Sequence, residues 1–442
     1  MESIFREIDC DDRISKKFWC KSTQINHRII FESLVWELID NSRLVPITLA
    51  LTEENLLKYQ KGKNIKQASI KWKLIEAFEE ENLTGLNHVF RIGQGSRYRD
   101  FYVESSDLLD QWLRNLSLVG IMTDVTNDFH FIKEIGKGAH GQVFLAEDRE
   151  TRMKYAIKIC PKSRENSLHN SITSLVNEIS MMRNLNHPNV VKLHKVYESE
   201  TCVYLILEYI SGGNLLERIN KIRRYSEKKA AEIIVKLLNA VDYLHSLGIV
   251  HRDIKLENIL MVSEDNDIDF KLADFGLACE NDYELSKKCG TPGYTAPEIF
   301  CQNFYDNKVD IFSIGIVLYG LLTGNPAFPG RNLAEKIRNN REGKISFKGK
   351  YWQIISQGAI DMVTKLTAIN PSQRLTVKEA LDHPWLKFNL KHFRRVKERS
   401  RRVYFIKKSQ TVSDANVLLE IEKPDVKKIY SDNDLIAIVE QL

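Results

Sequence analysis

The chain has 442 residues, 43% of them apolar and 28% charged, with a formal net charge of +5. That length suffices for two or three domains with separate cores. The composition is that of a globular protein, and so small a charge gives no sign of a nucleic-acid partner. Seven scattered cysteines (Cys10, Cys20, Cys160, Cys202, Cys279, Cys289, Cys301) without CxxC spacing argue against a disulfide framework or a zinc cluster. The N-terminus lacks an apolar signal core, and no apolar run approaches the ~20 residues that span a bilayer, so an intracellular, cytoplasmic protein is expected.

In chain order, residues 1–27 read as an N-terminal arm and residues 28–120 as a β-rich domain closed by a helix. Between Ser69 and Leu74, Ile70, Trp72 and Leu74 alternate with Lys71 and Lys73, which predicts one half-buried strand with the lysines outward. Further strands are predicted over His88–Ile92 and Arg99–Val103, joined by the turn-rich Gly93–Ser96. Ser105 or Ser106 then caps a helix that presents Leu108, Leu109, Trp112, Leu113 and Leu116 on one face. Strands followed by a single helix with a buried tryptophan resemble a pleckstrin-homology domain. That resemblance implies a phosphoinositide membrane or a protein partner at 28–120, and with it peripheral recruitment to a membrane. Lys61, Lys63 and Lys66 form only a loose basic group, and residues 1–120 carry 17 basic against 18 acidic side chains. The short join Gly120–Asn127 should keep this domain close to the next.

From Asp128 to Leu386 strands and helices alternate. Ile135-Gly136-Lys137-Gly138-Ala139-His140-Gly141-Gln142-Val143 lies between two strand-like runs. Its glycines let backbone approach a phosphate, and its strand-to-strand turn disfavours a dinucleotide-binding loop. Tyr155-Ala156-Ile157-Lys158 forms the next short strand, and Glu178 follows nine residues before His187-Pro188-Asn189. An amphipathic helix carrying Ile233, Ile234, Leu237, Leu238, Val241 and Leu244, stopped at Gly248, leads into Val250-His251-Arg252-Asp253-Ile254-Lys255-Leu256-Glu257-Asn258. Ala273-Asp274-Phe275-Gly276 and Thr291-Pro292-Gly293-Tyr294-Thr295-Ala296-Pro297-Glu298 complete the set, with Arg374 further on.

Taken together, these motifs resemble a serine/threonine protein kinase of the calcium/calmodulin-dependent group. The expected fold class is therefore α+β: a bilobal protein kinase fold behind a pleckstrin-homology-like β-barrel domain. The resemblance implies ATP and Mg2+ as cofactors and protein substrates that accept the γ-phosphate. Asp253 would be the base, with Lys255 on the transferring phosphate and Asn258 and Asp274 as metal ligands. The loop from Ile135 through Gly136, Lys137, Gly138, Ala139, His140, Gly141 and Gln142 to Val143 would cover the nucleotide. Lys158, paired with Glu178, would hold its phosphates. Val143, Ala156 and Leu260 would sandwich adenine, and the hinge at Leu207, Glu208, Tyr209 and Ile210 would bond its edge. Met182, Leu193, His251 and Phe275 would stack as an apolar spine, and Glu298 would pair with Arg374. The pattern departs from the family at Leu256 and Phe312, at Asn214, where relatives carry glutamate, and at Lys287, which stands at the usual activating phosphosite. A pseudokinase scaffold or a lipid-recruited adaptor is the alternative reading.

Residues 387–442 form a basic, then acidic, extension. Nine Lys/Arg side chains fall between Lys391 and Lys408. Segment 388–408 reads as a basic amphipathic helix: a calmodulin target, a membrane-surface helix or an autoinhibitory segment.

Overall fold

The structure, a computed structural model, describes residues 3–7, 18–21, 28–39, 43–59, 65–81, 85–94, 97–138, 141–162, 168–279, 285, 287–301 and 304–390. Ala139 and His140 of the glycine loop, Lys61 and Lys63, and the extension beyond Leu390 lie outside them.

The N-terminal strands are β1 (Cys20–Lys21), β2 (Phe31–Ile39), β3 (Arg43–Leu51), β4 (Asn55–Tyr59), β5 (Lys66–Ser69), β6 (Leu74–Glu79), β7 (His88–Gln94) and β8 (Arg97–Val103). Their hydrogen-bonded order is β1-β5-β4-β3-β2-β8-β7-β6, all antiparallel. The helix Ser106–Leu116 follows, capped by the Ser105 hydroxyl, which accepts from the Leu108 amide at 3.2 Å. Its buried Trp112 stacks on Phe90 at 5.3 Å and donates from Nε1 to the Ser33 hydroxyl at 2.9 Å. That bond satisfies the one polar atom the indole takes into the core.

One expectation needs correction here. The alternation from Ser69 to Leu74 is not one strand. β5 ends at Ser69, the Lys73 amide donates to the Ile70 carbonyl across a tight turn, and β6 starts at Leu74. Lys73 is consequently buried rather than outward. Among the described residues no strand pairing closes the sheet. The outer edge of β6 is taken instead by β9 (Ile121–Met122), in parallel, with Leu74 opposite Ile121 and Ile75 opposite Met122.

That two-residue strand joins the two halves of the molecule. On its other side it pairs, also in parallel, with β13 (Leu193–Glu198) through Met122 and Tyr197. The sheet continues through β14 (Cys202–Glu208), β12 (Lys154–Pro161), β11 (Gly141–Asp148) and β10 (Phe129–Gly138). The facing edges of β6 and β13 are thereby partly covered, while β1 and β10 remain the outer strands of the sheet. The apolar core is shared as well, running from Val35, Phe90 and Trp112 through Val125 to Phe129, Ile157, Tyr197 and Ile206. Ser3, Ile4 and Phe5 of the expected arm also pack here. Phe5 is buried and stacks on Trp72 at 5.3 Å, while the Ser3 hydroxyl and Ile4 amide donate to Glu198, which also pairs with Lys162.

The remaining residues to Asn389 are mainly helical. Lys308–Thr323 is buried at every position from Val309 to Thr323, as expected of a helix that is apolar all round. It packs between Glu227–Ser246 and Gln357–Leu366. Phe312, one of the departures from the family pattern, lies parallel to Phe328 beneath the Arg374 guanidinium. A two-stranded ribbon of β15 (Ile259–Met261) and β16 (Phe270–Leu272) is flanked by the two motif segments, residues 250–258 before it and 273–276 after it.

Candidate active site

The glycine loop is an antiparallel turn between β10 and β11, with Gly136 opposite Val143, Lys137 opposite Gln142 and Gly138 opposite Gly141. Gly141 has φ +136°, and a Cβ there would fall 2.0 Å from the Ile159 carbonyl oxygen, so a side chain is excluded. Ile135 is exposed at this mouth. One strand further, Val143 lies opposite Lys158 and Leu145 opposite Ala156, while Leu207 faces Ala156 across β12 and β14. The ladder ends at the pair Tyr155–Glu208, so the backbone of Tyr209 and Ile210 leaves the sheet there. The Glu208 carboxylate is held by Lys271 at 2.9 Å. Leu260 is bridged to Asn214. Asn214 itself caps the helix Leu215–Ile222 in a reciprocal capping box with Glu217, a local role that accounts for asparagine in place of glutamate.

Lys158 is buried. Its ammonium donates to Glu178 at 2.7 Å and to Asp274 at 3.5 Å, joining a strand, a helix and a loop. Burial alone would depress its pKa, but the carboxylates of Glu178 and Asp274 outweigh that and hold it above the ordinary lysine value. On the facing loop, Asp253 accepts from Lys255 at 2.6 Å, from the Thr291 hydroxyl at 2.6 Å and from the Asn258 amide nitrogen at 3.1 Å. Lys255 also donates to Thr291 at 2.8 Å. Arg252 and Asp274 have positive φ, 64° and 65°, a strained conformation that clusters at functional sites. His251 meets Phe275 edge-on at 4.9 Å, with Met182 and Leu193 also buried.

Several residues with no assigned role in the sequence reading hold this arrangement. Thr291 ties the later segment to Asp253. Asp310 is fully buried and accepts from the His251 and Arg252 amides at 2.9 Å each and from His245 at 2.9 Å. Burial opposes its charge, yet these hydrogen bonds hold the carboxyl below the usual carboxylate range. Arg252 donates to the Tyr305 hydroxyl, which in turn donates to the Lys287 carbonyl at 2.7 Å. The backbone at Lys287, where phosphate is expected in relatives, is thus tied to the catalytic loop through a phenol. Ser286 lies outside the described residues. Glu298 and Arg374 form a bidentate pair at 2.6 and 3.0 Å, as the sequence predicts.

A bilobal body with a glycine-rich strand-to-strand turn, a buried lysine–glutamate pair and two acidic loop residues matches the arrangement expected of a phosphotransferase. A family model for the protein kinase domain matches residues 129–386, and the chain belongs to the protein kinase family. It is similar to myosin light chain kinase A of Dictyostelium discoideum, with 38% identity over 270 residues, covering 61% of this chain and 91% of that kinase. Calcium/calmodulin-dependent protein kinase type 1 of Macrobrachium nipponense is 42% identical over 265 residues, covering 59% and 76% of the two chains. The type 1 kinase of Caenorhabditis elegans is 38% identical over 267 residues, covering 60% and 76%. The protein is a serine/threonine kinase of the calcium/calmodulin-dependent group that uses ATP with Mg2+ and acts on protein substrates.

Proposed function

We propose that Asp253 orients and deprotonates the substrate hydroxyl, that Lys255 contacts the transferring phosphate, and that Lys158, fixed by Glu178, holds the nucleotide's other phosphates. The observation that carries this reading is the Lys158 ammonium, bridged to both Glu178 and Asp274 and kept charged by them. Asn258 and Asp274 would hold Mg2+. The fit rests on donor chemistry, since both offer the hard oxygens that Mg2+ prefers. The Asn258 amide nitrogen turns toward Asp253, which directs its oxygen the other way, and the Asp274 side chain stays 41% exposed. When bound, the metal supplies neutralisation of phosphate charge. Asp253 and Lys255 are held by Thr291, so Thr291→Val should lower kcat roughly tenfold, the worth of one hydrogen bond to a charged group, with little change in KM for ATP. Thr291→Ser should restore most of the rate. An unchanged kcat in the valine variant would remove Thr291 and this positioning scheme from the reading.

The N-terminal region reads as a pleckstrin-homology-like module, supported by its antiparallel strand order and the helix carrying Trp112. Several of its described cations are already paired, Lys58 with Glu37, Arg91 with Asp100 and Arg114 with Glu150, which supports protein contact over phosphoinositide binding or membrane recruitment.

Segment 388–408 is proposed as an autoinhibitory element released by calcium–calmodulin. Its support is the basic sequence, nine Lys/Arg between Lys391 and Lys408, following the matched kinase domain. Truncation after Lys387 should raise activity several-fold in the absence of calcium. A truncated enzyme no faster than the full chain, together with a 388–408 peptide that ignores calmodulin, overturns the proposal.

A further inference from the structure

We infer that Arg183 is a positioning residue for phosphoryl transfer, through which the N-terminal region holds Glu178 against Lys158. Arg183 ends the helix Leu168–Arg183, five residues beyond Glu178. Five residues turn a helix by about 140° beyond one full revolution and advance it by about 7.5 Å. The two side chains therefore leave opposite sides of one rigid rod. Glu178 faces the Lys158 ammonium at 2.7 Å. Among the described residues, the three side-chain contacts of Arg183 all fall on residues before β10. Its guanidinium donates to the Lys71 carbonyl at 2.5 Å and the Gly120 carbonyl at 2.8 Å, and lies 5.1 Å from the Trp72 ring centre.

Those three groups are fixed in their turn. Lys71 and Trp72 sit in the tight turn between β5 and β6, and Trp72 carries the buried Phe5 on its ring. Gly120 immediately precedes β9, the strand spliced between β6 and β13. A Cβ at Gly120 would fall 2.1 Å from the Ile75 side chain, so the glycine lets the chain press onto β6 at this point. The clamp is thus anchored in the same sheet that carries Lys158, and it grips the far side of the helix that carries Glu178.

The chemistry of the contact separates positioning from mere packing. Arg183 is a half-buried cation bonded to neutral carbonyls, and its partial desolvation pulls its pKa down to about 10. Desolvation makes such a charge costly, so an apolar side chain of similar length would keep the packing at little expense to stability while losing both directional bonds. Stability and catalysis should therefore respond differently. The inference depends on the kinase chemistry alone and not on the pleckstrin-homology-like reading.

The test is a comparison of kcat, KM for ATP and melting temperature in the full chain for Arg183→Met, Arg183→Lys and Trp72→Leu, with Arg183→Met also placed in a Glu178→Gln background. Arg183→Met should lower kcat about tenfold while KM for ATP moves less than about threefold, the signature of an interaction felt in the transition state. Arg183→Lys should recover part of the loss, and Trp72→Leu should show a smaller loss of the same kind. In the Glu178→Gln background, Arg183→Met should add less than about twofold, because residues that act through one another are not additive. Unchanged kcat in the folded variants, whatever their melting temperatures, overturns the inference, as do losses that multiply in the double variant. Should the methionine variant fail to fold, the lysine and leucine variants decide by the same split.

Discussion

Asp274→Asn should lower kcat by at least about three orders of magnitude, since the carboxylate contributes several kcal/mol of charge stabilisation through the metal it would hold. The loss has a second source in the structure: the Lys158 ammonium gives up one of its two acidic partners, 3.5 Å away, and keeps only Glu178. Asp253→Asn should fall by about 10²–10⁴-fold through loss of the base. Its effect on nucleotide affinity should be small, because Asp253 bonds Lys255, Thr291 and Asn258 rather than the lysine–glutamate pair. Steady-state kinetics and nucleotide titration on both purified variants read the difference. Near-normal turnover in either removes that residue from its proposed role.

Glu298→Ala should be the most destabilising single change in the kinase body. Glu298 and Arg374 are essentially without solvent contact, their side chains 1% and 0% exposed. Removing one partner of such a pair leaves a buried charge uncompensated, at about 3–5 kcal/mol. The Arg374 guanidinium would keep its bonds to the Ala368 and Lys308 carbonyls, but these carry no countercharge. A melting temperature lower by roughly 10 °C is expected for a domain of this size. A double change to apolar residues of similar volume should recover much of that loss, since both desolvation costs then disappear. A single variant melting within about 2 °C of the parent would show that the pair contributes little.

The residues brought together around Lys158 and Asp253 were legible because phosphoryl transfer restricts chemistry at fixed short spacings, as in Asp253 to Asn258. Contacts between distant segments were not. Asp310 lies 59 residues from the His251 amide it accepts, and Arg183 lies 112 from Lys71, so no local pattern betrays either. Thr291 stood in a recognised motif, yet its bond to Asp253 depends on how that segment folds back. In the N-terminal region the alternation over Ser69–Leu74 misled because a tight turn can continue a period of two without being strand. β9 was invisible for a different reason. Two residues are too few to carry any period, and its identity as a strand comes entirely from the edges it fills.

The most direct measurement is transfer of labelled γ-phosphate from Mg-ATP to protein substrate by the full chain, followed by phosphoamino-acid analysis, with Asp274→Asn alongside. Label on serine and threonine in the parent enzyme and none above background in the variant is the predicted result. Equal incorporation by the two proteins, or label on tyrosine alone, would contradict it.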